Sequence, residues 1–234
     1  MFLAVMQAGL TATIPHLVLP WVGPSLSEVL KGRAKWEIVG LERIVVVQVS
    51  DALKYLHSVH VIHTDIKPGN VLIRECDRRA VIIDFNTSEI ADPMGEWQPR
   101  STVYSTYPWR APELWRVAGF NGVRRALTFA VDIWSFGVTC VETISGGGRF
   151  FGTYNETNTG VRIKEWAAST RSLDAMVNRM PTQWRCTIRG AMQPQPTSRQ
   201  FDVSFDALTT AADTRAPHKA GLAAAESSSE ARQA

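Results

Sequence analysis

The stretch VIHTDIKPGNVLI, residues 61–73, is the most informative part of the sequence. It sets four polar side chains between two aliphatic runs, namely His63, Asp65, Lys67 and Asn70. A loop that carries a carboxylate, an ammonium group and an amide so close together on apolar supports indicates a functional site. The rest of the fold must hold this loop in place and supply the other groups that its chemistry needs.

Two short β-rich runs, NVLI and AVIIDF, follow in order and are separated by the polar turn RECDRR. This pattern predicts a small hairpin. The hairpin would carry Asn70 and Asp84 on the same side of the fold, so that a second carboxylate joins the cluster.

Such a set of side chains suits metal-assisted phosphoryl transfer, in which positioning and charge neutralisation do most of the work. Mg²⁺ prefers hard oxygen ligands and usually takes one or two from the protein, and Asn70 and Asp84 offer them. Lys67 is suited to neutralise a phosphoryl group as a point charge. Asp65 is suited to orient a hydroxyl group and accept its proton.

Composition and charge exclude several other classes of function. The 234 residues, 45% of them hydrophobic, suffice for one good-sized core. A formal net charge of +3 without a Lys/Arg block argues against a nucleic-acid or membrane-surface role. No apolar run reaches the roughly 20 residues of a membrane helix, and the apolar N-terminus lacks the basic residues of a signal peptide. Cys76, Cys140 and Cys186 have no metal-ligand spacing, which predicts free thiols in an intracellular protein, with cytoplasm and nucleus not distinguished.

Several elements are predicted around the loop. HLVLPWVG, residues 16–23, is typical of a strand that runs into a turn. SLSEVLKG predicts a short helix capped by Ser25 or Ser27, and residues 40–58 predict a helix with one broad buried face. VDIWSFGVTCVETI, residues 131–144, is apolar on nearly every face, which predicts a helix at the centre of the domain.

The remaining segments contain more loop. Residues 86–113 are polar and rich in proline, which predicts a long functional loop. A second loop is predicted at 146–160, followed by helices at 162–180 and 182–192. After Leu208, a tail rich in Ala, Ser and Thr predicts disorder.

Four motifs together resemble those of one family. HTDIKPGN resembles the catalytic loop of eukaryotic protein kinases, IIDFN their metal-binding Asp-Phe-Gly turn, and WRAPELW the Ala-Pro-Glu end of their activation segment. DIWSFG resembles the signature of the central helix that follows. Because order and spacing also agree, the resemblance covers residues 17–201.

This resemblance implies an α+β fold, a mainly helical kinase-like C-terminal lobe with a small β-hairpin near the active site and a remnant strand of the N-terminal lobe. It also divides the chain. The expected boundaries are a partial kinase domain at 1–208, a hinge near 17–23, a catalytic loop at 63–70, an activation segment at 84–113, a helical subdomain at 114–208 and a disordered tail at 209–234.

Carried over residue by residue, the resemblance implies a role for each polar group of the site. Asp65 would be the catalytic base or orienting carboxylate, and Lys67 would contact the γ-phosphate of ATP. Asn70 and Asp84 would hold Mg²⁺. Thr106 stands where serine/threonine kinases keep a threonine that bonds the catalytic Asp and Lys, which favours protein substrates with Ser/Thr hydroxyls over tyrosine.

Other residues would support the site. Glu113 would form a buried ion pair with Arg199, and Asp132 would brace the catalytic loop from the central helix. His63 would bond main-chain groups near the metal-binding turn. His57 is interpreted as a helix-end residue without a chemical role.

Pro20, Trp21 and Val22 correspond to the hinge whose backbone hydrogen-bonds adenine in this family. Kinases carry a glycine-rich loop and a phosphate-binding lysine before the hinge, and residues 1–16 contain neither. We therefore expect an N-terminally incomplete domain. Apolar surface near the hinge and the Asp84–Phe85 turn would be exposed and is expected to need a partner protein.

Two positions depart from the family pattern. Thr64 stands where many kinases have an arginine that receives a phosphorylated activation-loop residue, and threonine cannot make that charge-assisted contact. Asn86 replaces the glycine after Asp-Phe, and asparagine is the residue that best tolerates the left-handed backbone region. We expect the turn to form but to switch less freely.

A serine/threonine protein kinase domain is the function that the resemblance favours, while the missing phosphate cover counts against transfer by this chain alone. Two other classes stay open. A pseudokinase or binding module would dock a protein partner without phosphotransfer. A small-molecule phosphotransferase of kinase-like fold shares a His-x-Asp loop, but the Ala-Pro-Glu segment and the DIWSFG helix favour a protein substrate.

Overall fold

The protein is described from a computed structural model, and the described residues are 7–11, 14–18, 20–32, 40–92, 96–97, 105–116, 127–148, 150–151 and 156–201. All of them lie in one unit, Met1–Val203. The tail predicted at 209–234 lies outside the described residues, as do residues 93–95 and 98–104 of the expected activation segment.

The strands in these ranges form four antiparallel pairs. The pairs are β1 (Gln7–Thr11) with β2 (Ile14–Val18), β3 (Val61–Ile62) with β6 (Glu89–Ile90), β4 (Val71–Ile73) with β5 (Ala80–Ile82), and β7 (Glu96–Trp97) with β8 (Leu127–Thr128). The strand predicted within residues 16–23 is β2, which ends at Val18, before Pro20. It pairs with β1, and the few strands beside many helices agree with the expected α+β fold.

The predicted hairpin is confirmed as β4 and β5, and it also holds the segment that follows β2. Ile73 N–H donates to Pro24 O at 2.9 Å, and Glu75 N–H donates to Val22 O at 3.2 Å. The connecting segment therefore lies along the hairpin as a partner for main-chain groups that would otherwise be unpaired.

Helix α1 (Leu26–Leu30) begins with a capping box. Glu28 N–H donates to Ser25 Oγ at 3.3 Å, and the Glu28 carboxylate accepts from Ser25 N–H at 2.8 Å. Ser25 is therefore the cap, of the two serines predicted.

A continuous helix leads to the 63–70 loop. It consists of α2 (Leu41–Arg43), a π-helical stretch (Ile44–Val49) and α3 (Ser50–Ser58). The helix predicted at 40–58 is confirmed. Its π-helical stretch was not predicted. The stretch IVVVQV is rich in β-branched residues, which lose side-chain freedom in an α-helix, and its wider turns bury three valines, Val45, Val46 and Val49.

Helix α4 (Ala130–Ile144) lies in the core, as predicted. Every residue from Ala130 to Thr143 is buried, including the charged Asp132 in its first turn. The fully buried side chains of Trp134 and Phe136 are among the largest in the core.

Three further helices follow, α5 (Glu156–Ala167), α6 (Thr170–Arg179) and α7 (Arg185–Ala191). The loop predicted at 146–160 is wrong at its end, because α5 already begins at Glu156. Gly160 lets this helix pack closely against Trp115, since a Cβ at position 160 would lie 2.6 Å from Cε3 of that ring. The helix predicted at 162–180 is interrupted between Ala167 and Thr170.

Short 3₁₀ helices complete the described structure, at Pro68–Asn70, Tyr107–Trp109, Pro112–Arg116, Thr182–Trp184 and Pro196–Ser198. Across the described ranges, the helices are too short or too polar to span a bilayer.

Candidate active site

Asp65, Lys67 and Thr106 form a closed triangle of hydrogen bonds. Thr106 Oγ1 donates to Asp65 Oδ1 at 2.7 Å, and Lys67 Nζ donates to Thr106 Oγ1 at 2.7 Å and to Asp65 Oδ2 at 2.5 Å. Thr106 N–H adds a bond to Asp65 Oδ1 at 3.0 Å, across 41 positions of sequence. The structure thus brings together the three residues predicted to be catalytic.

These donors control the ionisation of Asp65. Burial, the largest single effect, raises the pKa of its carboxyl group, but hydrogen bonds from Lys67 and Thr106 and the charge of Lys67 together lower that pKa below its ordinary value. The carboxyl group is therefore ionised at neutral pH and accepts hydrogen bonds on both oxygens.

Asn70 ends the 3₁₀ helix Pro68–Asn70 and is buried. Its Nδ2 donates to the main-chain oxygen of Asp65 at 2.8 Å and to Asp65 Oδ2 at 3.1 Å. Because the amide nitrogen is committed to Asp65, Oδ1 is the atom of this side chain that suits a divalent cation.

Asp84 follows Ile83, whose main-chain N–H and oxygen are both hydrogen-bonded. Ile83 N–H donates to Asn70 O at 3.0 Å, and Ile83 O accepts from His63 Nε2 at 3.0 Å, which is the contact predicted for His63. The Asp84 carboxylate is exposed and makes no hydrogen bond or ion pair with another described residue. No three His, Cys, Asp or Glu side chains within the described ranges are grouped as a metal site.

The backbone of this turn differs from the prediction. Asp84 has a φ of 66°, in the left-handed region, whereas Asn86 does not have a positive φ. The expectation that asparagine serves a left-handed backbone at position 86 is therefore wrong. Aspartate shares the tolerance of asparagine for this region, which is why Asp84 can adopt it.

Asp132 braces the loop from α4, as predicted. Its Oδ2 accepts from His63 N–H at 2.8 Å, and its Oδ1 accepts from Thr64 N–H at 2.8 Å. A fully buried carboxylate requires such donors. A third one comes from His57, whose Nε2 donates to Asp132 Oδ2 at 3.0 Å and whose ring stacks on Phe129 at 4.6 Å. His57 lies in the last turn of α3, as predicted, and its bond to Asp132 is a structural contact that the sequence did not indicate.

Arg110 supports the loop that carries Thr106. Its Nε donates to Ser105 Oγ at 3.0 Å, and its Nη2 donates to Ser105 O at 2.8 Å. The guanidinium carbon lies 4.9 Å from the ring centroid of Tyr107 and 5.1 Å from that of Trp115. Sequence reasoning missed this support, although the position of Arg110 directly before Ala-Pro-Glu could have indicated it.

The predicted ion pair between Glu113 and Arg199 is present, with Arg199 Nη1 2.6 Å from Glu113 Oε1. Arg199 also donates to the main-chain oxygen of Ala130 at 3.0 Å. The end of the 84–113 segment, the start of α4 and the last described loop are therefore joined by one guanidinium group.

The predicted hinge residues are not hydrogen-bonded to the triangle. Within the described ranges, Pro20, Trp21 and Val22 make no hydrogen bond with Asp65, Lys67 or Thr106. The predicted exposure of apolar surface is confirmed, because Trp21 is 79% exposed and Phe85 is 37% exposed.

Comparison with known proteins places this geometry in a family. The family model described as protein kinase domain matches residues 17–203. Mitogen-activated protein kinase 12 of Homo sapiens is 36% identical over 141 residues, which are 59% of this chain and 34% of that protein. Serine/threonine-protein kinase 4 homolog A of Dictyostelium discoideum is 39% identical over 95 residues, 40% of this chain and 18% of that protein. Mitogen-activated protein kinase 12 of Danio rerio is 32% identical over 174 residues, 68% of this chain and 42% of that protein.

The chain spans less than half the length of each of these relatives. The matched range agrees closely with the range of 17–201 that the motifs predict. Family match, motif order and site geometry all lead to one conclusion: the chain belongs to the eukaryotic protein kinase superfamily.

Proposed function

We propose that this site binds ATP and Mg²⁺ and transfers the γ-phosphate to serine or threonine hydroxyl groups of a protein substrate. The observation that carries the proposal is the triangle of Asp65, Lys67 and Thr106, in which Thr106 Oγ1 lies 2.7 Å from both partners. The names of similar proteins, which include serine/threonine-protein kinases, support the choice of acceptor.

Asp65 is the group that receives the substrate in this proposal. Its ionised carboxylate orients the hydroxyl group and accepts the proton. The hydroxyl oxygen forms a bond to the γ-phosphorus while the bond between that phosphorus and the β–γ bridging oxygen breaks, and ADP leaves. Thr106 holds Asp65 Oδ1 through both its hydroxyl and its N–H, so the carboxylate is oriented before the substrate arrives.

In this proposal, Lys67 and a Mg²⁺ ion held by Asn70 and Asp84 compensate the negative charge of the phosphates. The ammonium group of Lys67 serves as a point charge for the γ-phosphate. Asn70 and Asp84 would hold Mg²⁺, and the donor set fits the ion, because both offer hard oxygen atoms and Mg²⁺ needs few protein ligands beside substrate phosphates. When bound, Mg²⁺ neutralises phosphate charge at this position.

We assign the binding of adenine to the main chain of Pro20, Trp21 and Val22. Val22 O already accepts from Glu75 N–H, and Val22 N–H has no partner among the described residues, so this N–H is the donor that we assign to the base. The accompanying domain boundaries are 1–208 for the kinase domain and 209–234 for the tail. Three free cysteines support an intracellular setting, where thiols stay reduced.

A second candidate function is a protein-binding module without phosphotransfer. Exposure of Trp21 and Phe85 supports it, because large apolar side chains at the surface often mark sites of protein contact. The two candidates differ in a measurable way, since a binding module would not release ADP in the presence of an acceptor peptide.

The test uses the full 234-residue chain. Binding of ATP is measured by calorimetry with and without Mg²⁺, and transfer is measured with radiolabelled ATP and matched peptides that contain serine, threonine or tyrosine. The decisive variant is Asp65→Asn, which keeps the size of the side chain but removes the charge that accepts the proton. Asp51→Asn is its control, because Asp51 is exposed on α3 and pairs only weakly with Lys54 at 3.8 Å.

We expect Mg²⁺-dependent binding, transfer to serine and threonine peptides, and a loss of transfer of about 100-fold or more in Asp65→Asn with binding retained. The Asp51→Asn variant should match the unmodified chain. Binding without any transfer would favour the second candidate, and absence of nucleotide binding would overturn the proposal.

A further inference from the structure

Thr64 and Thr87 form a hydroxyl pair beside the Asp84 turn. Thr64 Oγ1 lies 2.9 Å from Thr87 O and 2.9 Å from Thr87 Oγ1. A hydroxyl group has one proton, so Thr64 donates to the carbonyl oxygen of Thr87 while the Thr87 hydroxyl donates back to Thr64 Oγ1. Two hydrogen bonds therefore join the 63–70 loop to the segment that follows Asp84.

The backbone at Thr64 is held in an unfavourable conformation for this contact. Its φ of 71° lies in the left-handed region, which a β-branched residue rarely enters. The residue is buried, and its N–H donates to Asp132 Oδ1 at 2.8 Å. Such a conformation persists only where the surroundings enforce it, and here Asp132 enforces it from α4.

Further contacts join the same two segments on either side of the turn. Before it, Ile83 O accepts from His63 Nε2 at 3.0 Å. After it, Ser88 Oγ donates to His63 O at 3.3 Å, and Ala91 N–H donates to His60 O at 2.8 Å. The hydroxyl pair lies between these contacts and follows the edge-to-face contact of His63 with Phe85, whose ring centroids are 4.8 Å apart.

We infer that the Thr64–Thr87 hydroxyl pair is a neutral clasp that positions the Asp84 turn for its metal ion, and that Thr64 and Thr87 are positioning residues. The link to metal binding rests on the proposed function, whereas the clasp itself does not. Because both partners are uncharged, the clasp needs neither a phosphate group nor low ionic strength to hold the turn.

Amide hydrogen exchange of the full chain tests the clasp directly, read at Ser88 and Ala91 with the hairpin amide of Arg74 as reference. Thr64→Val removes both hydrogen bonds and keeps the β-branched shape, so exchange at Ser88 and Ala91 should rise about tenfold. Thr87→Val removes one bond and should give a rise of about threefold. Thr64→Ser keeps the hydroxyl group and should restore slow exchange, while the exposed Thr197→Val is the control that leaves exchange unchanged.

The second readout separates positioning from folding. In Thr64→Val the Mg²⁺ concentration needed for ADP binding should rise about tenfold, while ADP affinity measured without Mg²⁺ stays the same, and Thr64→Ser should recover the original Mg²⁺ requirement. A general loss of structure would weaken both affinities together. Raising the salt concentration from about 0.05 M to about 1 M should leave exchange at Ser88 unchanged, because an ionic contact would be screened and a neutral one is not.

Unchanged exchange at Ser88 in Thr64→Val would overturn the clasp, as would equal exchange rates in Thr64→Val and Thr64→Ser. Faster exchange with an unaltered Mg²⁺ requirement would overturn the positioning role. If the unmodified chain bound no nucleotide at all, the proposed function would fall, and the exchange data would still decide whether the clasp exists.

Discussion

The indole Nε1 of Trp115 donates to the main-chain oxygen of Arg110 at 3.2 Å. Gly160 packs against the same Trp115 ring. This ring therefore also supports Arg110, whose side chain bonds Ser105, next to Thr106. Helix α5, far from the 63–70 loop in sequence, thus reaches the candidate site through Trp115.

Gly160→Ala should destabilise the protein by about 1–3 kcal/mol, even though alanine favours a helix by about 1 kcal/mol. The new Cβ would lie 2.6 Å from Cε3 and 2.8 Å from Cζ3 of the buried Trp115 ring, which is held by its bond to Arg110 O and by the Arg110 guanidinium group. Urea denaturation measures the change. Gly148→Ala is the matched control, since a Cβ there meets nothing within 4 Å, and equal stability of the two variants would contradict the contact.

Thr106→Val should raise the pKa of Asp65 towards its ordinary value of 3.8, because the hydroxyl donor to Oδ1 is lost. The pKa of Asp65 is lowered in the fold, so its ionised form stabilises the protein above the unfolded-state pKa, and this contribution is lost as pH falls through the folded-state pKa. The stability gap between Thr106→Val and the original chain should therefore be widest near neutral pH and narrow in acid.

Carbon-13 NMR of the Asp65 carboxyl group gives the titration, and urea denaturation across the same pH range gives the stability. Thr106→Ser keeps the hydroxyl group and should titrate like the original chain. A Thr106→Val protein whose Asp65 midpoint stays where it was would refute this view of the triangle.

Arg199→Ala should cost about 3–5 kcal/mol, because it leaves the Glu113 carboxylate without its buried partner. The Arg199 side chain is fully buried and the Glu113 side chain is 10% exposed. Glu113→Gln should cost less, since Arg199 keeps its bond to the main chain of Ala130. Denaturation of both single variants and the double variant gives the coupling energy, and the exposed Arg171→Ala should stay within about 0.5 kcal/mol of the original chain.

Asp132→Asn should destabilise the protein by about 1–3 kcal/mol and loosen the 63–70 loop, because the side-chain NH₂ group that replaces one carboxylate oxygen would face a donor that this oxygen now accepts from. Faster hydrogen exchange at His63 and Thr64 would show the loosening, alongside a lower denaturation midpoint. Asp174→Asn changes an exposed aspartate that pairs with Arg189 and should have little effect. Protection of both amides in Asp132→Asn as strong as in the original chain would exclude the brace.

Features that depend on local sequence were predicted well. The capped start of α1 at one of two predicted serines, the β4–β5 hairpin and the buried α4 follow from short patterns, because capping, turn formation and apolar periodicity each act over a few residues. The motifs likewise located Asp65, Lys67 and Thr106, which the structure joins by hydrogen bonds.

Features that depend on distant partners were missed. His57 lies 75 positions from Asp132, so no local pattern indicates that its ring donates to that carboxylate. The sequence around Gly160 does not show whether this glycine ends a helix or allows a close contact. The contact depends on the position of Trp115, which is distant in sequence. The left-handed residue of the turn after β5 is Asp84 and not Asn86, and it directly follows Ile83, whose main-chain oxygen is bonded by the distant His63.

The contacts of Asp132 also have a consequence for the order of events during synthesis of the chain. His63 and Thr64 precede Asp132 by 69 and 68 positions, and contacts between such distant residues require closure of a long loop before they form. A nascent chain that has not yet emerged as far as α4 already contains Asp65, Lys67, Asn70 and Asp84, yet lacks the carboxylate that shapes their loop. The hydrogen bonds from Asp132 that shape the 63–70 loop can therefore form only after the central helix has left the ribosome and docked.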